Sequence, residues 1–173
     1  MQRSSSILRI ARLNTLARTY ATKANSHVTA GPTGPVLYST KVVVEGARNG
    51  TAKGEGLDLG LTMSKALGGS GDAGKTNPEE LFAAGYGACF QSAMNAAAIS
   101  MGTKIPNESR LTSSVSLVGD MKKLDMGLSV KIEVEGIKGV ERDLLQKIVD
   151  RAHEVCPYSR ATRGNIPVEI LIK

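Results

Sequence analysis

Hydrophobic and polar positions change period several times along these 173 residues, and each change marks an element. Residues 36–46, VLYSTKVVVEG, are rich in β-branched side chains and predict a strand; ARNG at 47–50 then supplies an Asn-Gly turn, which favours a hairpin. Leu57, Leu59 and Leu61 alternate with Asp58, Gly60 and Thr62, so a small antiparallel sheet is expected over 36–63. Asn77 suits a helix cap, Pro78 its first turn, and Glu79 and Glu80 the positive end of its dipole. From Leu81 to Ile99 the chain is apolar or small almost continuously, which predicts a helix buried all round rather than laid on a surface. Gly102 and Pro106 close it. Strand patterns return at 111–119 and 127–136. Leu144, Leu145, Ile148 and Val149 fall at helical spacing within 141–155, Pro157 breaks that helix, and IPVEILIK ends the chain as a strand. The order is α+β, without an internal repeat.

Charge changes the picture at one end only. A formal charge of +6 would suggest a nucleic-acid or membrane partner if it were spread along the chain. Residues 1–44, however, hold six basic side chains (Arg3, Arg9, Arg12, Arg18, Lys23 and Lys41) and no acid, while the remaining sixteen basic residues face sixteen acidic ones. No basic stripe interleaves with aromatics as a stacking platform needs, so no nucleic-acid partner is expected. Residues 1–20, with arginines, serines and apolar positions such as Ile7, Leu8 and Leu13, have the composition of a transit peptide. So many arginines favour a mitochondrial destination, the matrix, with processing near Tyr20–Ala21; a disordered basic tail is the alternative. Residues 21–35 form a linker and 36–173 one folded domain. No run of about 18 apolar residues exists, so no membrane span is expected.

GGSGDAGKT at 68–76 contains G-x-x-x-x-G-K-T, the pattern of a phosphate-cradling loop. Such a loop must leave a buried parallel strand and open a helix directly. Here a half-polar hairpin precedes it, and Asn77-Pro78 delays the helix past Lys75 and Thr76. The stretch is therefore expected to be a connector.

The candidate chemistry lies in two cysteines, Cys89 inside the expected buried helix and Cys156 at the end of the next one. In a reducing compartment a purely structural disulfide is disfavoured. That leaves two buried spectator thiols or a redox-active pair. Attack on a peroxide needs a thiolate, and burial in an apolar helix opposes one, so a reactive Cys89 requires a cation close by. Arg48 is the attractive candidate, because it sits at a hairpin tip and its guanidinium can meet a sulfur and an oxygen together. For a thiol in general, lowering the pKa from about 8.5 to about 6 raises the thiolate fraction at pH 7 roughly thirtyfold, and weaker nucleophilicity takes back about tenfold. The larger gain is the hydrogen bond given to the departing oxygen. Phe82, Phe90, Met94 and Met101 could line an apolar pocket or simply pack the core. No metal site or bound cofactor is expected, since His27 lies in the tail and His153 lacks companion ligands at a usual spacing.

TNPEELFAAGYGACF around Cys89 and CPYSRATRGNIPV around Cys156 together resemble the organic hydroperoxide resistance (Ohr) branch of the OsmC superfamily, here in an organelle-targeted form, over 36–173. The resemblance implies an OsmC-like α+β fold, antiparallel sheets with a long buried central helix, in an intertwined homodimer with active sites at the subunit interface. It also implies a thiol-dependent peroxidase. In that scheme Cys89 is the peroxidatic cysteine and Cys156 the resolving one, Arg48 in GARNG activates, and Glu79 in NPEE orients the arginine. An organic hydroperoxide would leave a sulfenic acid on Cys89 and depart as an alcohol; Cys156 would close a disulfide, and the lipoyl dithiol of a lipoylated protein would reduce it. A non-catalytic redox-sensing or binding protein on the same fold is the alternative. Arg160 stands where an uncharged residue is commoner after CPYS. Ten residues of helix separate Glu79 from Cys89, about 15 Å, so the two meet one arginine only if the helix bends, the arginine bridges the gap, or Glu79 comes from the partner chain. The partner chain is the expectation.

Overall fold

The computed structural model describes residues 34–173; the expected transit peptide (1–20) and the linker up to residue 33 lie outside the described residues. Three short strands come first: β1 (Val42–Glu45), β2 (Thr51–Gly54) and β3 (Leu57–Gly60), paired antiparallel in that order. Val44 lies opposite Ala52, and Ala52 opposite Leu59, so the small buried Ala52 sits at the centre of the meander. The strand expected over 36–46 is shorter than its composition suggested. Residues 36–41 pair with nothing among the described residues, and Val36, Leu37 and Tyr38 are at least 80% exposed. β-branched residues favour an extended backbone, but a strand also needs a neighbouring edge.

Helix α1 (Pro78–Ser100) begins where its capping residues place it. The Asn77 side-chain oxygen accepts from the Glu80 amide at 2.8 Å, satisfying one of the free donors of the first turn. Beyond it lies a second sheet, ordered β4 (Leu111–Asp120), β5 (Asp125–Val134) and β6 (Val168–Ile172). β4 and β5 form an antiparallel hairpin with Val115 opposite Val130. Its turn is closed by Asp120, whose carboxylate accepts from the Lys122 and Lys123 amides. β6 pairs parallel to β5, with Ile170 opposite Ile132, so this sheet is mixed. Two helices, α2 (Arg142–Val155) and α3 (Pro157–Thr162), form the crossover that such a pairing requires.

The core lies between this sheet and the helices. Tyr86, Phe90 and Met94 of α1 and Leu145, Ile148 and Val149 of α2 cluster with Val130, Ile132 and Val134 of β5. Truncating a side chain as enclosed as Ile132 or Ile148 costs about 2–5 kcal/mol in such settings. α1 is not buried all round within one chain, contrary to its sequence pattern. Ala84, Ala88, Ser92, Asn95, Ala96 and Ile99 form an exposed stripe along it, because the sheet, α2 and α3 leave that side uncovered.

Pro157 also departs from expectation. It ends α2 but opens α3, since its missing N–H and fixed φ suit a first helical position. Cys156, just before it, is pushed out of the helical region to φ −59, ψ 124, and forms the corner between the two helices. No helix among the described residues is long and apolar enough to cross a membrane.

Candidate active site

The corner at Cys156 faces the middle of α1. The two sulfurs, 67 residues apart in sequence, lie 3.5 Å from each other as free thiols, Cys156 directed at Cys89. Cys156 is fully enclosed, whereas Cys89 is half-buried and packs against the edge of the core. A disulfide needs about 2.05 Å between sulfurs, so a small shift of the corner would join them. Burial pushes the Cys89 thiol above its ordinary value and the nearby Cys156 adds to that, while the Tyr158 backbone amide pulls the other way. A carbon added at Gly85 would come within 2.8 Å of the Tyr158 hydroxyl, so the α3 ring approaches α1 through the absence of a side chain there.

Arg48 and Glu79 make the second cluster. Arg48 lies in a 3-10 turn, Ala47–Asn49, between β1 and β2. Ala47 takes a left-handed φ of 51°, uncommon for a residue with a side chain, and a Cβ on Gly50 would fall 1.7 Å from the Glu45 carbonyl oxygen. Asn49 ties the turn to the following segment by accepting from the Met63 amide at 2.9 Å. The guanidinium then donates twice to Glu79 in the first turn of α1, through Nη1 and Nη2, each at 2.8 Å. This bidentate bond holds the Glu79 carboxyl below the usual carboxylate range and the Arg48 pKa above its own.

Within one chain, Glu79 pairs with Arg48 and not with the region of Cys89. The structure brings Cys89 to Cys156 and Arg48 to Glu79, but it does not bring one pair to the other. Among the described residues no hydrogen bond or ion pair joins Arg48 to either sulfur, and α1 carries Cys89 about 15 Å beyond Glu79.

Apolar surroundings lie beside the thiols. Phe82, Tyr86 and Tyr158 pack at centroid distances of 5.6–6.0 Å. Phe82 and Tyr158 also line an open cavity of ≈ 630 Å³ with Met126, Leu128, Pro157 and Ile166. Of the other pocket candidates, Phe90 and Met94 belong to the core, and Met101 is exposed at the end of α1. Tyr86, Ser159 and Thr162, buried beneath the corner, and the half-buried His153 form a hydrogen-bonded group that the sequence reading did not single out. The signal lay in spacing, since His153 and Ser159 each stand three residues from Cys156 and Tyr86 three from Cys89.

The glycine-rich stretch is a connector. Thr76 forms an isolated bridge with Leu61, its hydroxyl bonds Glu80 at 2.6 Å, and Lys75 pairs with Asp72 at 2.8 Å before the helix begins at Pro78. No group of three or more His, Cys, Asp or Glu among the described residues is arranged to hold a metal ion.

Residues 69–171 match the family model described as OsmC-like protein. The chain is 42% identical over 140 residues to an organic hydroperoxide resistance protein of Xanthomonas axonopodis pv. citri, covering 79% of this chain and 95% of that one. Among solved structures it resembles an organic hydroperoxide resistance protein of Legionella pneumophila at 39% identity, with a TM-score of 0.72 over 80% of this chain and 99% of the other. It is similar also to the organic hydroperoxide resistance protein OhrB of Bacillus subtilis, at 38% identity and a TM-score of 0.71, covering 80% and 100%.

Proposed function

The chain belongs to the OsmC-like protein family, and we propose that it is a cysteine-based peroxidase that reduces organic hydroperoxides to alcohols. The observation that carries this is the 3.5 Å approach of Cys89 to Cys156. The Cys89 thiolate attacks the terminal peroxide oxygen; an S–O bond forms as the O–O bond breaks, and the alkoxide takes a proton to leave as the alcohol. Cys156 then attacks the sulfenic sulfur, an S–S bond replaces the S–O bond, and water leaves. A dithiol returns both electrons by thiol–disulfide exchange, and a dihydrolipoyl group on a lipoylated protein is the reductant we assign.

Arg48 activates Cys89 from a second copy of the chain, in a homodimer whose two active sites lie at the interface. Three features support this. Glu79, which grips Arg48, stands about 15 Å before Cys89 along one helix; α1 exposes a stripe with no charge from Leu81 to Ser100; and the N-terminal arm exposes Val36, Leu37 and Tyr38. Mixing Cys89→Ser with Arg48→Ala chains tests it, because only an arginine acting across the interface restores activity in the hybrid.

The second reading is a non-catalytic redox-sensing or binding protein on the same fold. Turnover separates the two. Reduced protein with dihydrolipoamide should consume cumene hydroperoxide catalytically; oxidation without turnover would leave the sensor. The basic residues 1–20 support delivery to the mitochondrial matrix, tested by fusing 1–35 to a fluorescent protein.

A further inference from the structure

Each sulfur has a polar neighbour one helical turn away, and those neighbours meet. The Tyr86 hydroxyl donates to Ser159 Oγ at 3.0 Å, and Ser159 Oγ lies 3.0 Å from His153 Nδ1. Tyr86 and Ser159 are wholly buried. With Tyr86 as donor to Ser159, the Ser159 proton can go on to His153 Nδ1 when the imidazole carries its own proton on Nε2. The nearby Thr162 hydroxyl is committed to the carbonyls of Tyr158 and Ser159 at 3.0 and 3.2 Å. The His153–Ser159 bond thus closes a loop with Cys156 at its centre, and the Tyr86–Ser159 bond ties that loop to the helix that carries Cys89.

We infer that Tyr86, Ser159 and His153 are positioning residues for disulfide closure, holding the corner between α2 and α3 so that Cys156 stays in line with the oxidised Cys89. The inference rests on the peroxidase reading above and concerns only its second step. There the Cys156 sulfur attacks the Cys89 sulfenic sulfur, the S–S bond forms, the S–O bond breaks, and the hydroxyl leaves as water with the Cys156 proton. The sulfurs must close from 3.5 Å to about 2.05 Å. A misplacement of about 1 Å can cost an intramolecular step on the order of a hundredfold. The three side chains give no hydrogen bond to either sulfur, so peroxide attack does not depend on them in the same way. A purely structural role would instead lower the melting temperature and slow both steps together.

Single-turnover kinetics of the reduced full-length protein with cumene hydroperoxide separates the steps: dimedone trapping reports the sulfenic acid, and alkylation followed by mass spectrometry reports the disulfide. Tyr86→Phe and His153→Leu should slow closure on the order of tenfold while sulfenic acid forms at the wild-type rate. His153→Asn, which keeps an acceptor near the Nδ1 position, should restore closure. Wild-type closure in both Tyr86→Phe and His153→Leu overturns the inference, as does an Asn variant as slow as the Leu one. Should Tyr86→Phe fail to fold, Ser159→Ala decides in the same way, having removed a single oxygen. Failure of the peroxidase reading is visible separately, as a wild-type protein in which peroxide produces no disulfide, and it overturns both.

Discussion

The first turn of α1 and its middle carry opposite chemistry. At the first turn, Glu79 is ionised, 15% exposed and gripped by both nitrogens of Arg48. Ten residues on, Cys89 faces another thiol, in a stretch without a charge from Leu81 to Ser100. The difference follows from where each environment can tolerate charge. The positive end of the dipole and nearby solvent favour a carboxylate at the helix start, whereas a helix middle packed on a sheet penalises any ion. Packing thus places the sulfurs together while burial raises the Cys89 thiol, and the Arg48–Glu79 ion pair is built elsewhere. In the proposed mechanism, placement and activation are separate tasks, carried by separate clusters.

Removing either cluster tests that division. Cys89→Ser should abolish peroxide reduction, by about a thousandfold or more in a ferrous–xylenol orange assay, since no other group takes the nucleophile's role. Arg48→Ala should lower the rate of Cys89 oxidation about 10²–10³-fold, as loss of an oxyanion donor does, while the fold and the thiol pair survive. In the same variant the pH profile of Cys89 alkylation should move upward, because burial then acts without the opposing cation. An unchanged profile would show that Arg48 does not activate this thiol.

Acid separates the clusters more gently. Glu79 has a depressed folded pKa, so its contribution to stability is full above the ordinary carboxylate value and lost as pH falls through the folded one. Burial, then Arg163, also depresses His153, with Asp150 opposing; its contribution is full above 6.5 and declines as pH falls below that. Melting temperature should therefore begin to fall on the acid side of 6.5, and His153→Asn should flatten the first part of that fall. The smallest effect is expected at the connector. Lys75→Met should leave peroxide turnover unchanged and no ATP-dependent thermal shift should exist to lose, since Lys75 is spent on Asp72.

Much of the architecture was legible because local rules and global packing agree. Asn77, Pro78 and two glutamates start α1 where capping chemistry says they should, and alternation at 111–119 and 127–136 finds β4 and β5. What period cannot say is which edge a strand takes, and so the parallel docking of β6 on β5 was invisible. Pro157 reads equally as a stop and a start, and only Cys156 turning out of the helix makes it the start of α3. The apolar pattern of α1 reports burial without saying what covers it, and one chain covers only part. In the site, the cysteines were found by their motifs. The pairing of Arg48 with its own Glu79 depends on the turn at Ala47 and Gly50, a backbone shape that GARNG does not specify.

The central claim is that Cys89 and Cys156 exchange a bond when a peroxide arrives. Treating the reduced protein with one equivalent of cumene hydroperoxide, blocking residual thiols and digesting it without reductant measures this directly by mass spectrometry. The expected product is a peptide joining Cys89 to Cys156 of the same chain, with the loss of two hydrogens. Cys89 carried to a sulfinic acid while Cys156 remains a free thiol, or both thiols recovered unmodified, would contradict it.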